Sequence, residues 1–411
     1  MADVASTPPR SRRRRWFRLV LVAFVGALAL LIAELALRVL WTPPQMFRVF
    51  EAATAWWEPE PGTFEPLPGF VGRIEEALPQ DAPPSTQFER RTIEIAVNRQ
   101  GLPGPELGQK RPGEQRVLFG GDSLTMGHGV ALADSLPLLA AAALRTRGID
   151  VVAANAGVPG FGLVATCRRL HRLRDIVGAD ALVVGCFLGN DWTDDILQRS
   201  AIVVGRRMFD GPFGNLLRHS ARARLAVHSR LALWCEAWLV EHQAAWSLLP
   251  GFTWLPEQQA LMATVPVGKT AGGLYLDAAV DHAFQPGQPP CVGTWLREVE
   301  HTLRSLQATA GALPVLVVVL PSQYHLDAPL RTRLLGEMGL DPALLEPGRS
   351  QRQLGELCAR LGLPCLDATP VLAAAGEARA VYSGDHLHLS VRGNQAVAAA
   401  IAERLAGLLR R

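Results

Sequence analysis

From about residue 115 onward, short unbroken apolar runs alternate with stretches of helical periodicity. The runs are Val117-Leu118-Phe119, Val151 to Ala154, Ala181 to Phe187, Pro314 to Leu320, and Leu363 to Leu366. Helical patterns fall at roughly 135–147, 163–177, 295–309, 350–361 and 391–410. Continuous Val/Leu strands separated by helices predict an α/β fold, a three-layer α/β/α domain on a parallel sheet of about five strands. In such sheets ligands bind beyond the carboxyl ends of the strands. The residues just after each run are therefore the ones to read for chemistry.

Two intervals break this rhythm. Residues 41–114 are rich in Pro (Pro59, Pro61, Pro66, Pro68, Pro79, Pro83, Pro84), which disfavours helix and central strand. They read as a Pro-rich linker and N-terminal extension, with one alternating edge-strand pattern at Thr92 to Val97. Between Phe187 and Pro314 the chain is far longer than a simple crossover needs. The stretch 192–295 holds six of the ten Trp (Trp192, Trp234, Trp238, Trp246, Trp254, Trp295) and predicts an amphipathic helix near 221–248. It reads as an insertion at about 192–300, inside a domain spanning 115–411, that caps the ligand-binding end of the sheet. Most of its Trp are expected in the cap's own core; the others could stack on sugar rings or meet acyl chains.

The N-terminus has a third pattern. Residues 1–18 carry six Arg against one Asp, more than the whole chain's net charge of +3, so the remainder is slightly acidic. No basic face is left for nucleic acid. Leu19 to Leu37 is an apolar run with one charge, Glu34. Its length suits a transmembrane helix at 19–40, and the Arg cluster should hold 1–18 in the cytoplasm. The expectation is a single-pass anchor in a bacterial cell membrane, with everything after Trp41 extracytoplasmic. A cleaved signal peptide is the alternative, but Glu34 and Arg38 stand where a small-residue cleavage site belongs. Arg14-Arg15-Trp16-Phe17 also has a trace of a twin-arginine export signal. All three readings export the bulk of the chain. The six Cys form no C-x-x-C pair, which argues against structural zinc and for buried small apolar residues.

Four polar or Gly-rich clusters stand at the strand ends. The first run ends in Phe119-Gly120-Gly121-Asp122-Ser123-Leu124. The second is followed by Asn155-Ala156-Gly157-Val158-Pro159-Gly160 and the third by Leu188-Gly189-Asn190-Asp191. Ser383-Gly384-Asp385-His386-Leu387-His388 precedes the last helix. Ser123 is a turn or cap residue on its own; its company gives it chemical meaning. No G-x-S-x-G occurs in the chain, so the α/β-hydrolase elbow does not apply.

These blocks, in this order, resemble the SGNH (GDSL) hydrolase superfamily, named for Ser, Gly, Asn and His from four sequence blocks. The resemblance covers about 115–411 and implies a role for each matched residue. Ser123 is the nucleophile, His388 the general base and Asp385 the acid that orients it. The backbone N–H groups of Ser123 and Gly160 and the side-chain amide of Asn190 form the oxyanion hole, with Gly160 preferred over Gly157 by motif register. Val97-Asn98-Arg99-Gln100-Gly101 resembles the lead-in of membrane-anchored members. His386 departs from the family, which often has a small residue there, and is a competitor for the base. It either serves as base or faces elsewhere; the D-x-x-H spacing favours His388.

The chemistry agrees with these roles. A serine hydroxyl needs a base within hydrogen-bond reach, and imidazole titrates in the right range. Asp122 is expected to satisfy backbone donors around its turn, Asp191 to order its loop or meet ligand at the cleft rim, and His128 to line the pocket or cap locally. The expected reaction is acyl transfer from an ester to water, with no metal or organic cofactor. The substrate class is an extracytoplasmic O-acyl ester, either an acylated glycan or a lipid. An O-acyltransferase to a glycan acceptor would use the same residues, as would an amidase or thioesterase. A silent glycan-binding protein on this scaffold is the non-enzyme alternative, against which the complete residue set argues. Oligomeric state is not encoded in these patterns.

Overall fold

The computed structural model describes residues 10–40, 56–60, 63–75, 92–204, 207–221, 224, 227–241, 255–264, 290–337, 339 and 346–410. Packing divides the chain into two units. One comprises Met1–Val49 with Pro212–Thr253, the other Phe50–Gly211 with Trp254–Arg411. The segment expected as a single cap is thereby shared between the two, and its Trp246 and Trp254 lie outside the described residues.

The larger unit is built on five parallel strands: β1 (Gln115–Gly121), β2 (Val151–Gly157), β3 (Ala181–Phe187), β4 (Val315–Leu320) and β5 (Cys365–Asp367). Their spatial order is β5-β4-β3-β1-β2, and every neighbouring pair is parallel. The order reverses between β1 and β3, which opens a crevice beyond their carboxyl ends.

Each strand alternates its side chains between two apolar layers. Leu118, Ala154, Leu182, Val184, Val317 and Val319 pack against helices α4 (Leu163–Val177), α7 (Pro290–Ala310) and α8 (Arg349–Leu361). Val117, Phe119, Val183, Leu316 and Val318 face α3 (Leu136–Arg145) and α9 (Val391–Leu409). A sheet covered on both sides needs apolar residues at every strand position, which is why the runs were unbroken in sequence. The predicted helices at 135–147, 163–177, 350–361 and 391–410 coincide with α3, α4, α8 and α9 to within two residues. The fourth strand's preceding helix starts earlier than its pattern, at Pro290.

The extension before the domain carries more order than its Pro content suggested. Val71–Glu75 pairs antiparallel with Thr92–Ala96, and Trp56–Trp57 with Glu65–Pro66. Trp56 and Phe64 pack edge-on at 5.4 Å, and Phe64 meets Phe161, just past β2, at 5.1 Å. A buried ion pair fastens the same region. Arg169 of α4 contacts Glu65, and its other donors reach the carbonyls of Ala156 (3.1 Å) and Gly101 (2.6 Å). Arg172 takes the other Glu65 oxygen.

In the smaller unit α1 (Arg10–Leu40) is one continuous helix. Its Arg14–Leu40 portion is long and apolar enough to cross a membrane, and its side chains are almost all exposed. Of the amphipathic helix predicted near 221–248, Arg230–Glu241 is helical (α6), residues 227–228 form a turn, and 242–248 lie outside the described residues.

Candidate active site

The turn that presents Ser123 begins in β1. A Cβ on Gly121 would collide with the Thr125 side chain, so only glycine lets the helix after the strand fold back this closely. That helix, α2 (Ser123–Met126), is a single turn whose N-cap is Asp122. One Asp122 oxygen accepts from Leu124 N at 2.9 Å, satisfying an otherwise orphaned donor. Asp122 is fully buried, and burial pushes its carboxyl up to about 6 against the pull of His388 and the surrounding N–H groups.

His388 and Asp385 arrive on a turn closed by the strand-like bridge Tyr382–Leu389. Ser383 N donates to the His388 carbonyl at 2.8 Å and closes the turn. Within it, Asp385 Oδ1 accepts from Ser383 Oγ (2.5 Å), Leu387 N (3.0 Å) and His388 N (3.0 Å). Its Oδ2 lies 2.6 Å from His388 Nδ1. Burial alone would raise the Asp385 carboxyl. The hydrogen bond and charge of His388, then Ser383 and the backbone N–H, outweigh it and hold the group well below the usual carboxylate range. An ionised carboxylate only accepts, so Nδ1 carries the imidazole proton. Nε2 then presents its lone pair to Ser123 Oγ, 2.8 Å away. Ser123, His388 and Asp385 thus form one hydrogen-bonded chain, from residues 265 positions apart to three.

The structure separates the two histidines of the turn. His386 is the single non-glycine residue with positive φ (64°) among the described residues, and its Nδ1 pairs with Gln323 Oε1 at 3.0 Å. Gln323 is buried in the helix turn after β4. His386 is therefore engaged by β4's end and not by Ser123. A different imidazole stands beside His388: the rings of His128 and His388 lie 4.5 Å apart, tilted by 39°. Burial first, and then the like charge of His388, lowers His128 to about 4, so at neutral pH it is an uncharged plate against His388.

Gly160 and Asn190 follow β2 and β3 on the same sheet edge as Ser123. Gly160 has φ 75°, a conformation glycine adopts without a Cβ penalty, and its carbonyl is held by the buried Gln198 amide. Asn190 is the half-buried N-cap of α5 (Asp191–Leu197), and its Oδ1 has no partner among the described residues. Asp191 is turned inward, where its Oδ2 accepts from Phe187 N at 3.0 Å; burial and the neighbouring carboxylates hold it well above the ordinary range. It orders the loop and does not line the rim.

Three supporting residues were not singled out from sequence. Asn155 Nδ2 donates to the Met126 carbonyl (3.0 Å), and its Oδ1 accepts from Gly157 N (3.0 Å), which ties the second block to the first. The available signal was an amide inside an otherwise apolar strand. Asp195 accepts from Val164 N (3.0 Å), Ala165 N (3.3 Å) and Trp295 Nε1 (2.8 Å), so it caps α4 from a neighbouring helix. Gln198 holds Gly160 as described. Trp192 and Trp295 are core residues, as expected for most of the Trp, whereas Trp234 and Trp238 are exposed.

No family model and no curated protein matches the chain. Solved structures do. One is the lipase/acylhydrolase from Enterococcus faecalis, 14% identical, covering 71% of this chain and 96% of that one with a TM-score of 0.37. Another is a catalytic mutant of an acetylxylan esterase from Geobacillus stearothermophilus, at 13% identity, 71% and 94% coverage, and a TM-score of 0.34. A third is the psychrotrophic esterase EstA from Pseudoalteromonas sp., at 11% identity, 72% and 100% coverage, and a TM-score of 0.35. This chain's own architecture is a five-stranded parallel sheet between two helical layers.

Proposed function

We propose that the chain is a serine esterase that cleaves an O-acyl ester, of an acylated glycan or a lipid, on the outer side of the membrane that α1 anchors. The observation that supports it best is the Ser123–His388–Asp385 hydrogen-bonded chain at the carboxyl edge of β1. His388 Nε2 takes the Ser123 proton as Oγ attacks the ester carbonyl. The resulting oxyanion is met by the N–H groups of Ser123 and Gly160 and by the Asn190 amide, each worth about 3 kcal/mol to the transition state. The C–O bond to the alcohol breaks, the His388 proton leaves with the alkoxide, and Ser123 holds the acyl group. Water attacks next with His388 as base, releasing the acid and restoring Ser123. Asp385 stays ionised throughout, fixing the imidazole tautomer and stabilising the imidazolium.

The test is a labelled fluorophosphonate, followed by peptide mapping, and hydrolysis of short p-nitrophenyl esters and acetylated glycans by the purified chain. Labelling at Ser123 and turnover that vanishes in Ser123→Ala are expected. Equal inactivity of wild type and Ser123→Ala on every ester, with no labelling at Ser123, would overturn the reading.

A further inference from the structure

The one charge in the apolar run of α1 is not idle. Glu34 Oε2 accepts from Ser229 Oγ (2.8 Å) and Leu231 N (2.8 Å), and Oε1 from Arg230 N (3.0 Å) and Arg38 Nε (2.8 Å). These donors, Arg38 apart, are the start of α6. The carboxylate of one helix therefore caps the other, supplying the acceptor that free N–H groups at a helix start require. Ala33, Glu34 and Leu37 form the half-buried strip of α1, while the rest of its described surface is exposed. On α6, Trp234 and Trp238, one turn apart, are 41% and 47% exposed, although both are large aromatic side chains.

We infer that α6 lies at the outer headgroup–acyl boundary of the bilayer that α1 crosses, clamped there by Glu34 and seated by Trp234 and Trp238. The inference rests on the anchored reading of α1. Depth is what carries it. With the inner boundary at the end of the Arg cluster, between Arg18 and Leu19, Glu34 is about 23 Å further along a helix rising 1.5 Å per residue. A hydrocarbon core of about 30 Å puts it roughly 7 Å below the outer boundary. A helix whose first N–H groups bond that carboxylate must dip to the same level. That is the depth, about 5–10 Å, at which amphipathic helices lie in the interface. Exposed Trp pairs suit that layer, since the indole has an apolar body and a polar N–H. The partner is thus the phospholipid surface itself. The clamp also makes α1 a structural part of its unit, which a removable leader would not be.

Cys235, between the two Trp, is exposed, and among the other cysteines only Cys365 is not buried. In a Cys365→Ser background, the full chain in phosphatidylcholine–phosphatidylglycerol vesicles is labelled at Cys235 with an environment-sensitive fluorophore. Blue-shifted emission, quenched by lipids bearing a nitroxide near the headgroup and insensitive to aqueous iodide, is expected. Glu34→Leu, which keeps the span apolar, should leave α1 resistant to alkaline carbonate extraction while the label becomes open to iodide. Iodide quenching in the unaltered clamp, with α1 still inserted, would overturn the inference and leave the anchor standing. A label that stays lipid-quenched in Glu34→Leu would overturn the clamp. A mature chain whose mass shows α1 removed would overturn the anchored reading and this inference with it.

Discussion

The buried pair between Glu65 and Arg169 allows a quantitative prediction. The two side chains are 5% and 1% exposed, so neither charge has appreciable water. Glu65→Gln keeps the shape and one acceptor oxygen but leaves the Arg169 guanidinium with neutral acceptors alone, that amide and the Ala156 and Gly101 carbonyls. Breaking a buried pair from one side costs about 3–5 kcal/mol, because the surviving charge remains desolvated. The retained amide and the two carbonyls put Glu65→Gln at the lower end, about 3 kcal/mol, or a fall in Tm of about 5–10 °C for a unit this large. Arg169→Met should cost about 2 kcal/mol, since it orphans two carbonyls at about 1 kcal/mol each while Arg172 keeps Glu65 paired. The double variant Glu65→Leu with Arg169→Met should lose about 2 kcal/mol, less than Glu65→Gln, because no buried charge is left unpaired while the Ala156 and Gly101 carbonyls stay orphaned. Urea unfolding followed by far-UV circular dichroism measures all three. A Glu65→Gln loss below about 1 kcal/mol, or a double variant no better than Glu65→Gln, would show that the pair does not carry the attachment of the extension.

Other expectations follow from the site. His388→Ala should lower ester turnover by about three orders of magnitude or more. By contrast, His386→Gly should keep activity, since relief of a positive φ, about 1 kcal/mol, offsets the lost Gln323 bond of similar size; the reverse ranking in steady-state kinetics would refute the assignment of the base. Asp122 has a folded value of about 6 against an ordinary 3.8, so its contribution to stability falls as pH rises between those values and the penalty persists above them. Asp122→Asn keeps the cap and removes the titration; relative to wild type it should gain up to about 3 kcal/mol from pH 4 to pH 8, and a gap independent of pH in denaturant titrations would contradict this. Asp385 has the opposite sign. Its lowered value stabilises the fold above the ordinary carboxylate range, and that support is lost as pH falls through the folded value, so Asp385→Asn should flatten the acid limb of a stability–pH curve.

The sheet was legible because burial on both faces leaves no polar positions in β3 or β4 and none after Arg116 in β1, and such runs stand out against amphipathic helices. Ser123, His388 and Asp385 were legible because their chemistry fixes residue type and spacing within short blocks. What escaped has a common cause: partners distant in sequence. Nothing near Glu65 announces Arg169, nothing near Asp195 announces the start of α4, and Glu34 looked like a blemish in an apolar run until Ser229 and Arg230 were seen against it. The Pro-rich extension was underestimated for another reason. Strands of two residues, such as Trp56–Trp57, are too short to show a period, and an edge strand tolerates Pro at its margin.

Asp385 and His388 share one six-residue turn just before α9, whereas Ser123 sits at the end of β1. Synthesis runs from the amino end, so Ser123 is made early and waits. On the proposed esterase reading, Ser123 is an ordinary alcohol until Asp385 and His388 have emerged and folded onto the sheet. A chain anchored as proposed is made beside a surface of ester lipids. On the same reading, splitting the three residues between the beginning and the end of the domain would act as a safety catch in time: a nascent or prematurely terminated chain would carry Ser123 without the partners that activate it.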